Sequence, residues 1–317
     1  MSSPDLRATL GGVTLDSPLI PASGILPMDP VLWMGLEGCD GVCTKGLTWR
    51  PRAGNPGVRL EETPGGLLNS IGLENPGVQA WMRETLPGLA GTGKRIVLNL
   101  ACEDLDSLGR AVEALGGASD RIAVLELNLS CPNVDGGGAA WGEAPEGVRA
   151  ALGIARPGWK GILWVKLTPQ AGDFVATARA AEAGGADGVV VANTWLGAAL
   201  DLQTGLPRFA RSVAGLSGPA VFPLSLRLVF QTYGRVGIPI VGCGGVRSAE
   251  DALCMVLAGA SAVEVGTWHF RKLDCLAGMC RDLQALLQAR GVASLAELVG
   301  AAHRGGFAGA RKERSGA

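Results

Sequence analysis

The stretch ELNLSCPNV, residues 126–134, places an apolar run directly before a cluster of polar side chains. The polar residues that follow the run within a few positions are Asn128, Ser130, Cys131 and Asn133. Asparagine offers an acceptor and two N–H donors without charge, so several asparagines can match the edge of a planar polar ligand. A thiol, with a reference pKa of about 8.5, needs only modest help from a nearby Lys or backbone N–H to act as a base. The pattern predicts a ligand site at the end of a strand, with Cys131 as a candidate base.

Cys131 is one of eight cysteines, and most of the others are expected to be small buried thiols. None of the eight forms a C-x-x-C pair, and the chain has only two histidines, at positions 269 and 303. A zinc or iron–sulfur site within this chain is therefore not expected. Because neither histidine is close to the polar cluster in sequence, the thiol remains the candidate base, and activity should rise with pH as the thiolate forms.

The composition is that of a soluble globular protein. Of 317 residues, 47% are hydrophobic and 18% charged, and the net charge is −1. No basic stretch suggests nucleic-acid binding, and no apolar run reaches the roughly 18 residues of a membrane span. The first residues, MSSPDLRATL, lack the pattern of a secretory signal. We expect one cytoplasmic domain, residues 1–317, without a nucleic-acid or membrane partner.

Short apolar runs recur along the chain and alternate with amphipathic segments. The runs are 18–23, 41–46, 95–100, 124–129, 163–168, 188–193, 238–243 and 262–267. The amphipathic segments include 105–115, 173–184, 248–258 and 276–289. This alternation predicts βαβ units, and eight strands favour a closed (β/α)8 barrel, the TIM-barrel fold. The early segment ATLGGVTLDSP predicts a hairpin at the barrel floor, and the long connections 46–80 and 194–235 are expected to be functional loops at the carboxyl end.

Strand parity predicts which side chains face the barrel interior, because alternate residues of a strand point to the same side. The last inward residues of five consecutive strands are then Lys45, Asn99, Asn128, Lys166 and Asn193. They meet at the carboxyl end, where barrel enzymes have their active sites. Each alone could be a rim or turn residue, but five together predict a site.

Parity also turns Glu126 and Glu264 inward. Buried carboxylates need partners, so we expect both to form hydrogen bonds within the barrel without a direct role in chemistry. Cys102 and Cys243, near strand ends, are interpreted as packing residues.

Glycine-rich loops follow the last strands. GCGGVRS (242–248) comes after the seventh strand, VGTWHF (265–270) after the eighth, and GLSGP (215–219) adds a third approach. Glycine lets the backbone come close to a ligand and direct N–H groups at it. Loops at these places often bind phosphate in barrels, so the pattern predicts a phosphorylated ligand.

These motifs, in order along nearly the whole chain, resemble dihydroorotate dehydrogenase. The matching stretches are PASGI (21–25), TKGLT (44–48), RAGNPGVRLEETPGGLLNSIGLENPG (52–77), ELNLSCPNV (126–134), VKLTP (165–169), ANT (192–194), GLSGPA (215–220), GCGGV (242–246) and AGASAVEVGT (258–267). NSIGLENPG, together with SCPNV before a glycine-rich loop, is most similar to the class 1B catalytic subunit. Class 2 enzymes use serine as the base, whereas this chain has Cys131.

The resemblance implies a barrel that binds FMN and oxidises dihydroorotate to orotate. It also implies a homodimeric core within a heterotetramer, with a partner subunit that carries FAD and an iron–sulfur cluster and passes electrons to NAD. In this reaction the protein supplies a base that takes the proton from C5, while the flavin accepts the hydride from C6.

Site residues follow from the resemblance position by position. Those implied for FMN are Ser23, Lys45, Gly46, Asn99, Asn128, Lys166, Ala192, Gly218, Gly244, Gly245, Gly266 and Thr267. Those implied for the pyrimidine are Lys45, Asn69, Ser70, Ile71, Gly72, Leu73, Asn128, Asn133, Asn193 and Thr194. Cys131 is the expected base, Lys45 neutralises the substrate carboxylate or the flavin charge, and Lys166 faces the N1–C2 edge of the flavin. Residues 133–142 are expected to form a lid.

Four alternatives remain. The chain could be a class 1A enzyme that uses fumarate, or a flavoenzyme for another pyrimidine. From other classes, it could be a flavin-free phosphate-binding isomerase or lyase, or a barrel kept as a binding subunit.

Overall fold

A computed structural model describes residues 3–130 and 141–307. Its strands are β1 (Ala8–Leu10), β2 (Val13–Leu15), β3 (Leu19–Pro21), β4 (Gly41–Cys43), β5 (Leu60–Thr63), β6 (Gly66–Asn69), β7 (Arg95–Ala101), β8 (Val124–Asn128), β9 (Ile162–Lys166), β10 (Gly188–Val191), β11 (Trp195–Gly197), β12 (Ala214–Ser217), β13 (Ile240–Cys243) and β14 (Ala262–Val265). Its α-helices are α1 (Pro30–Met34), α2 (Val78–Glu84), α3 (Leu86–Ala90), α4 (Leu105–Gly116), α5 (Pro145–Gly158), α6 (Phe174–Ala183), α7 (Phe222–Thr232), α8 (Ala249–Ala258) and α9 (Cys275–Gln288).

Eight parallel strands form the barrel in the order β3-β14-β13-β10-β9-β8-β7-β4. The outermost two, β3 and β4, lie side by side, so the sheet is nearly closed. This confirms the predicted (β/α)8 architecture. Every residue of β8 is buried, as expected for a parallel strand covered on both faces. The outward faces pack against the helices in one large apolar core.

The four amphipathic segments form helices α4, α6, α8 and α9, within two residues of the predicted bounds. Three of them start at a side chain that accepts a hydrogen bond from a backbone N–H of the first turn. These caps are Asp104 for α4, Asp173 for α6 and Ser248 for α8. Capping satisfies a donor that has no partner within the helix, and it explains why the helices begin at these positions.

The predicted floor hairpin is present. Strands β1 and β2 pair in antiparallel fashion, with Leu10 opposite Val13. The apolar side chains of the hairpin pack against inward residues of the barrel such as Val124 and Trp164, and the two sets form a second, inner core. The hairpin therefore closes the amino end of the barrel and leaves the carboxyl end for ligands.

The long connections 46–80 and 194–235 contain strands and a helix that the sequence did not indicate. Strands β5 and β6 from the first join β11 and β12 from the second in a four-stranded antiparallel sheet, with Asn69 opposite Gly215. Helix α7 also lies within the second segment. The sequence predicted functional loops and did not indicate these strands, because each strand has only three or four residues and pairs with a distant segment, so local periodicity is weak.

Within the described ranges, no helix is long and apolar enough to cross a membrane.

Candidate active site

Three adjacent strands, β7, β8 and β9, bring inward polar side chains together near their carboxyl ends, as parity predicted. These side chains are the amides of Asn99 and Asn128 and the ammonium of Lys166. Asn128 Nδ2 donates to Asn99 Oδ1 at 3.4 Å, and Lys166 follows on β9, paired in register with Asn128. All three side chains are buried. We call these three residues and Asn193 the polar ring.

Asn193 joins the polar ring, but strand parity does not explain its position. Strand β10 ends at Val191, which packs in the outer core, whereas Val190 faces the barrel interior. Asn193, with the parity of Val191, would point outward if the strand continued. Past the strand end, its Nδ2 instead lies 3.3 Å from Asn128 Oδ1, and a cis peptide bond joins Val191 to Ala192. The predicted position is therefore found, and the reason given for it was wrong.

Lys45 lies just beyond β4 and reaches the loop after β3. A Cβ on Gly24 would lie 3.1 Å from Lys45 Nζ, so the lysine packs next to the backbone that follows Ser23. A Cβ on Gly46 would lie 2.7 Å from Asn99 Oδ1. Only glycine fits this closely against the polar ring, which explains the Lys-Gly pair at this position.

A buried charge cluster lies beneath the polar ring and consists of Lys166, Glu126 and Glu264. Lys166 Nζ lies 3.5 Å from Glu126 Oε1 and in close contact with Glu264 Oε2. Asn99 Nδ2 donates to Glu126 Oε1 at 2.5 Å, and Cys43 Sγ approaches the same oxygen at 3.6 Å. The expectation that both glutamates form hydrogen bonds within the barrel is confirmed. Cys43, Glu126 and Glu264 hold potential metal-ligating atoms within 4.8 Å of one another, and the Lys166 ammonium supplies the cation among them.

The two carboxyl groups differ in their protonation. Burial raises the pKa of Glu264 to about 8, and the neighbouring Glu126 carboxylate adds to the shift. Burial also opposes ionisation of Glu126, but the Lys166 ammonium and hydrogen bonds, including that from Asn99, outweigh it and hold the pKa of Glu126 below its ordinary value. Burial opposes the charge on Lys166 too, yet Glu126 and Glu264 hold its pKa well above normal. At neutral pH the cluster therefore carries an ammonium, a carboxylate and a largely protonated Glu264.

Glu264 makes the stability of the barrel depend on pH. Its folded-state pKa of about 8 lies above the ordinary 4.5, so the folded protein keeps a proton that the unfolded chain releases. This stabilisation is fully present below about pH 4.5 and is lost as the pH rises to about 8. In the Glu264→Gln variant the side chain at position 264 is neutral at every pH in this range, because an amide does not ionise. We expect the thermal unfolding midpoint of this variant to rise relative to wild type between about pH 5 and about pH 8. Glu113→Gln, on the exposed face of α4, serves as the control. A pH-independent difference for Glu264→Gln would contradict the assignment.

Three glycine-containing loops meet at the other side of the barrel end. Thr267 Oγ1, after β14, donates to Ser217 Oγ at 2.7 Å, which links the β14 loop to β12. Gly245, after β13, has φ +79°, and a Cβ there would lie 2.5 Å from the backbone N of Phe222 at the start of α7. Ser225 on α7 is fully buried, and its Oγ has no hydrogen-bond partner among the described residues.

The donors present fit a phosphorylated ligand with a planar polar ring. Glycine backbone and hydroxyl groups at the β12, β13 and β14 ends suit a phosphate. The amides and ammonium of the polar ring suit the edge of a heteroaromatic ring. Four further residues implied for the cofactor come directly after strands β10, β12, β13 and β14. They are Ala192, Gly218, Gly244 and Gly266.

The segment 69–73 lies over the polar ring. Asn69 Nδ2 donates to the Gly215 carbonyl at 3.1 Å, and a Cβ on Gly215 would lie 2.4 Å from Thr194 Oγ1, so Asn69 and Thr194 meet across this glycine. Asn55 Nδ2 donates to Ser70 Oγ at 3.0 Å and so holds Ser70 in place. The segment continues through Ile71 and Gly72, and the Leu73 side chain lies 3.6 Å from a Cβ placed on Gly46.

Asn75 supports this segment and was missed in the sequence. Its Oδ1 accepts from the backbone N–H groups of Thr48 (3.2 Å) and Gly77 (2.8 Å), and its Nδ2 donates to the Leu73 carbonyl (2.7 Å) and Thr48 Oγ1 (2.8 Å). The available signal was Asn before Pro-Gly, a combination typical of turns.

Cys131 and Asn133, together with most of the expected lid, lie outside the described residues, so their roles stay predictions. The chain on either side is anchored near the polar ring. Ser130 N donates to Asn128 Oδ1 at 3.0 Å, and Gly142 N donates to the Leu129 carbonyl at 2.8 Å. Cys102 and Cys243 are buried in the outer and inner cores, which confirms their interpretation as packing residues.

The chain resembles known proteins over most of its length. The family model described as dihydroorotate dehydrogenase matches residues 5–287. The catalytic subunit of dihydroorotate dehydrogenase B (NAD(+)) from Geotalea daltonii is 39% identical over 303 residues, which are 95% of this chain and 99% of the relative. The protein of the same name from Maridesulfovibrio salexigens is 38% identical over 93% of this chain and 98% of its own length. That from Geobacillus kaustophilus is 39% identical over 93% and 95%. These matches confirm the resemblance seen in the motifs, and the chain belongs to the dihydroorotate dehydrogenase family of flavin-dependent oxidoreductases.

Proposed function

We propose that this chain is the catalytic subunit of an NAD-linked dihydroorotate dehydrogenase and oxidises dihydroorotate to orotate with bound FMN. The observation that carries the proposal is the convergence of the polar ring, the glycine loops and the segment 69–73 at one end of a barrel of this family. The glycine loops suit the phosphate of a flavin, and the polar ring suits the flavin ring system. The segment 69–73 would cover a pyrimidine stacked on that ring system.

FMN would be held between the glycine loops and the polar ring, and it supplies the hydride acceptor when bound. The flavin ring system would contact six residues: Ser23, Lys45, Gly46, Asn99, Asn128 and Lys166. An ammonium has three N–H donors, so Lys166 can stay paired with the Glu126 and Glu264 carboxyl groups and direct the third donor at the cofactor.

The protein residues would bind and orient dihydroorotate and remove its C5 proton. Asn69, Asn128, Asn133, Asn193 and Thr194 match the alternating carbonyl and N–H edge of the pyrimidine. Lys45 would neutralise the carboxylate, and Cys131 would take the proton from the face opposite the flavin. These roles are supported by the family motifs and by the convergence of the described residues.

The partner proposal follows from the relatives, which are named as catalytic subunits of NAD(+)-dependent enzymes. We expect a second subunit that carries FAD and an iron–sulfur cluster, a homodimeric core within a heterotetramer, a single catalytic domain over residues 1–317, and a cytoplasmic location.

The function can be tested on the purified chain. We expect a yellow protein whose flavin absorbance bleaches when dihydroorotate is added without oxygen. Electrons should reach NAD only after the partner subunit is added, and fumarate should not reoxidise the flavin. Rapid reoxidation by fumarate would indicate a class 1A enzyme. A colourless protein that takes up no FMN, or a flavoprotein that another pyrimidine reduces faster, would contradict the proposal.

A further inference from the structure

Glu126 begins a continuous chain of side-chain hydrogen bonds that ends at the proposed pyrimidine site. Its Oε1 accepts from Asn99 Nδ2 at 2.5 Å, and Asn99 Oδ1 accepts from Asn128 Nδ2 at 3.4 Å. Asn128 Oδ1 in turn accepts from Asn193 Nδ2 at 3.3 Å. We call this series the asparagine chain. It connects the buried charge cluster with side chains expected to contact the substrate.

The direction of the asparagine chain is set at Glu126. An ionised carboxylate can only accept hydrogen bonds, and the donors of Asn99, Lys166 and Cys43 all converge on the same oxygen of Glu126. Asn99 must therefore turn its NH2 group toward Glu126, which leaves its oxygen facing Asn128. Asn128 must therefore donate its NH2 group to the Asn99 oxygen, and Asn193 must donate its NH2 group to the Asn128 oxygen.

This direction decides what the polar ring offers to a ligand. Asn128 Oδ1 already accepts from Asn193 and from the Ser130 N–H at 3.0 Å, and Asn193 Oδ1 accepts from the Thr194 N–H at 2.8 Å. Each amide has two N–H groups and uses only one of them in the chain. Asn128 and Asn193 thus present N–H donors, which suit ring carbonyls and not amino groups.

We propose that Glu126 is a positioning residue that orients the asparagine chain, so that the site selects pyrimidines with ring carbonyls over those with an amino group in the same place. The inference rests on the proposed function, since it takes the ligand to be a pyrimidine carboxylate. Glu126 touches neither substrate nor reacting atoms and acts through Asn99.

The test compares the affinities of two kinds of ligand by titration calorimetry on the flavin-loaded protein. The ligands are orotate and the two analogues in which one ring carbonyl is replaced by an amino group. A donor facing a donor in a buried site is costly, so wild type should bind orotate about tenfold or more tightly than at least one analogue. Glu126→Met removes the acceptor, while Glu264 still pairs with Lys166. In this variant we expect the ratio of orotate affinity to analogue affinity to fall about fivefold or more. Without the acceptor at position 126, the amide groups of the asparagine chain can turn their oxygens toward the ligand.

Glu264→Gln is the matched control, because it changes the other carboxyl group of the cluster without touching Asn99, and it should keep the wild-type ratio. A merely structural role would weaken all ligands alike and leave the ratio unchanged. If Glu126→Met does not fold, Asn99→Ala breaks the same chain with Glu126 intact and should lower the ratio too. An unchanged ratio in the variant that folds overturns the inference, as does a wild type that binds orotate without preference. A wild type that does not bind orotate overturns the proposed function as well.

Discussion

Replacing Cys131 by alanine is expected to slow reduction of the bound flavin by dihydroorotate about 10²-fold or more, the usual effect of a lost general base. The flavin should remain bound, because all the residues implied for its binding except Asn128 lie on other strands and loops. Stopped-flow absorbance under anaerobic conditions measures the step directly. In wild type the rate should rise with pH as the thiol, of ordinary pKa about 8.5, ionises.

The matched control is Cys254→Ala, which removes an exposed cysteine from α8 on the outside of the barrel. Its reduction rate should equal that of wild type. Because both variants remove a thiol, a difference between them isolates the contribution of position 131. If Cys131→Ala reduced its flavin at the normal rate, another group would have to be the base.

Replacing Lys166 by methionine should destabilise the protein by about 3 kcal/mol or more, because it leaves two buried carboxyl groups without their cation. The loss should grow as the pH rises, since the ionised carboxylates are then left unpaired. The same variant should lose FMN more readily. Thermal unfolding and flavin release on gel filtration measure the two effects.

Two further variants make this prediction sharper. Lys160→Met removes an exposed lysine and should change stability by no more than about 0.5 kcal/mol. Adding Glu126→Gln and Glu264→Gln to Lys166→Met removes the unpaired charges and should recover part of the lost stability. A Lys166→Met protein as stable as wild type at high pH would show that the buried charge cluster is not held by this ammonium.

Much of the barrel was predictable because each strand carries its own signal. The eight apolar runs, their helices and the inward positions of Asn99, Asn128 and Lys166 follow from period-two alternation within single strands. The floor hairpin was also predictable, since both its strands and its turn are adjacent in sequence.

What could not be predicted depends on contacts between distant segments. The four-stranded sheet pairs residues about 146 positions apart, such as Asn69 and Gly215, and neither partner's own pattern reveals the other. Asn193 lies past the end of β10, so the alternation of that strand does not predict its place beside Asn128. Which of the two buried glutamates keeps its proton depends on three donors brought to Glu126 by three different strands.

The floor hairpin affects how water and protons reach the barrel interior. Leu10 and Leu15 are fully or almost fully buried against the inner wall, so the protein has apolar packing where a second opening would be. Among the described residues this packing blocks the amino end, so we expect water and protons to reach Glu264 through the carboxyl end. We therefore expect a ligand bound over Asn128 to slow the exchange of the Glu264 proton with bulk solvent.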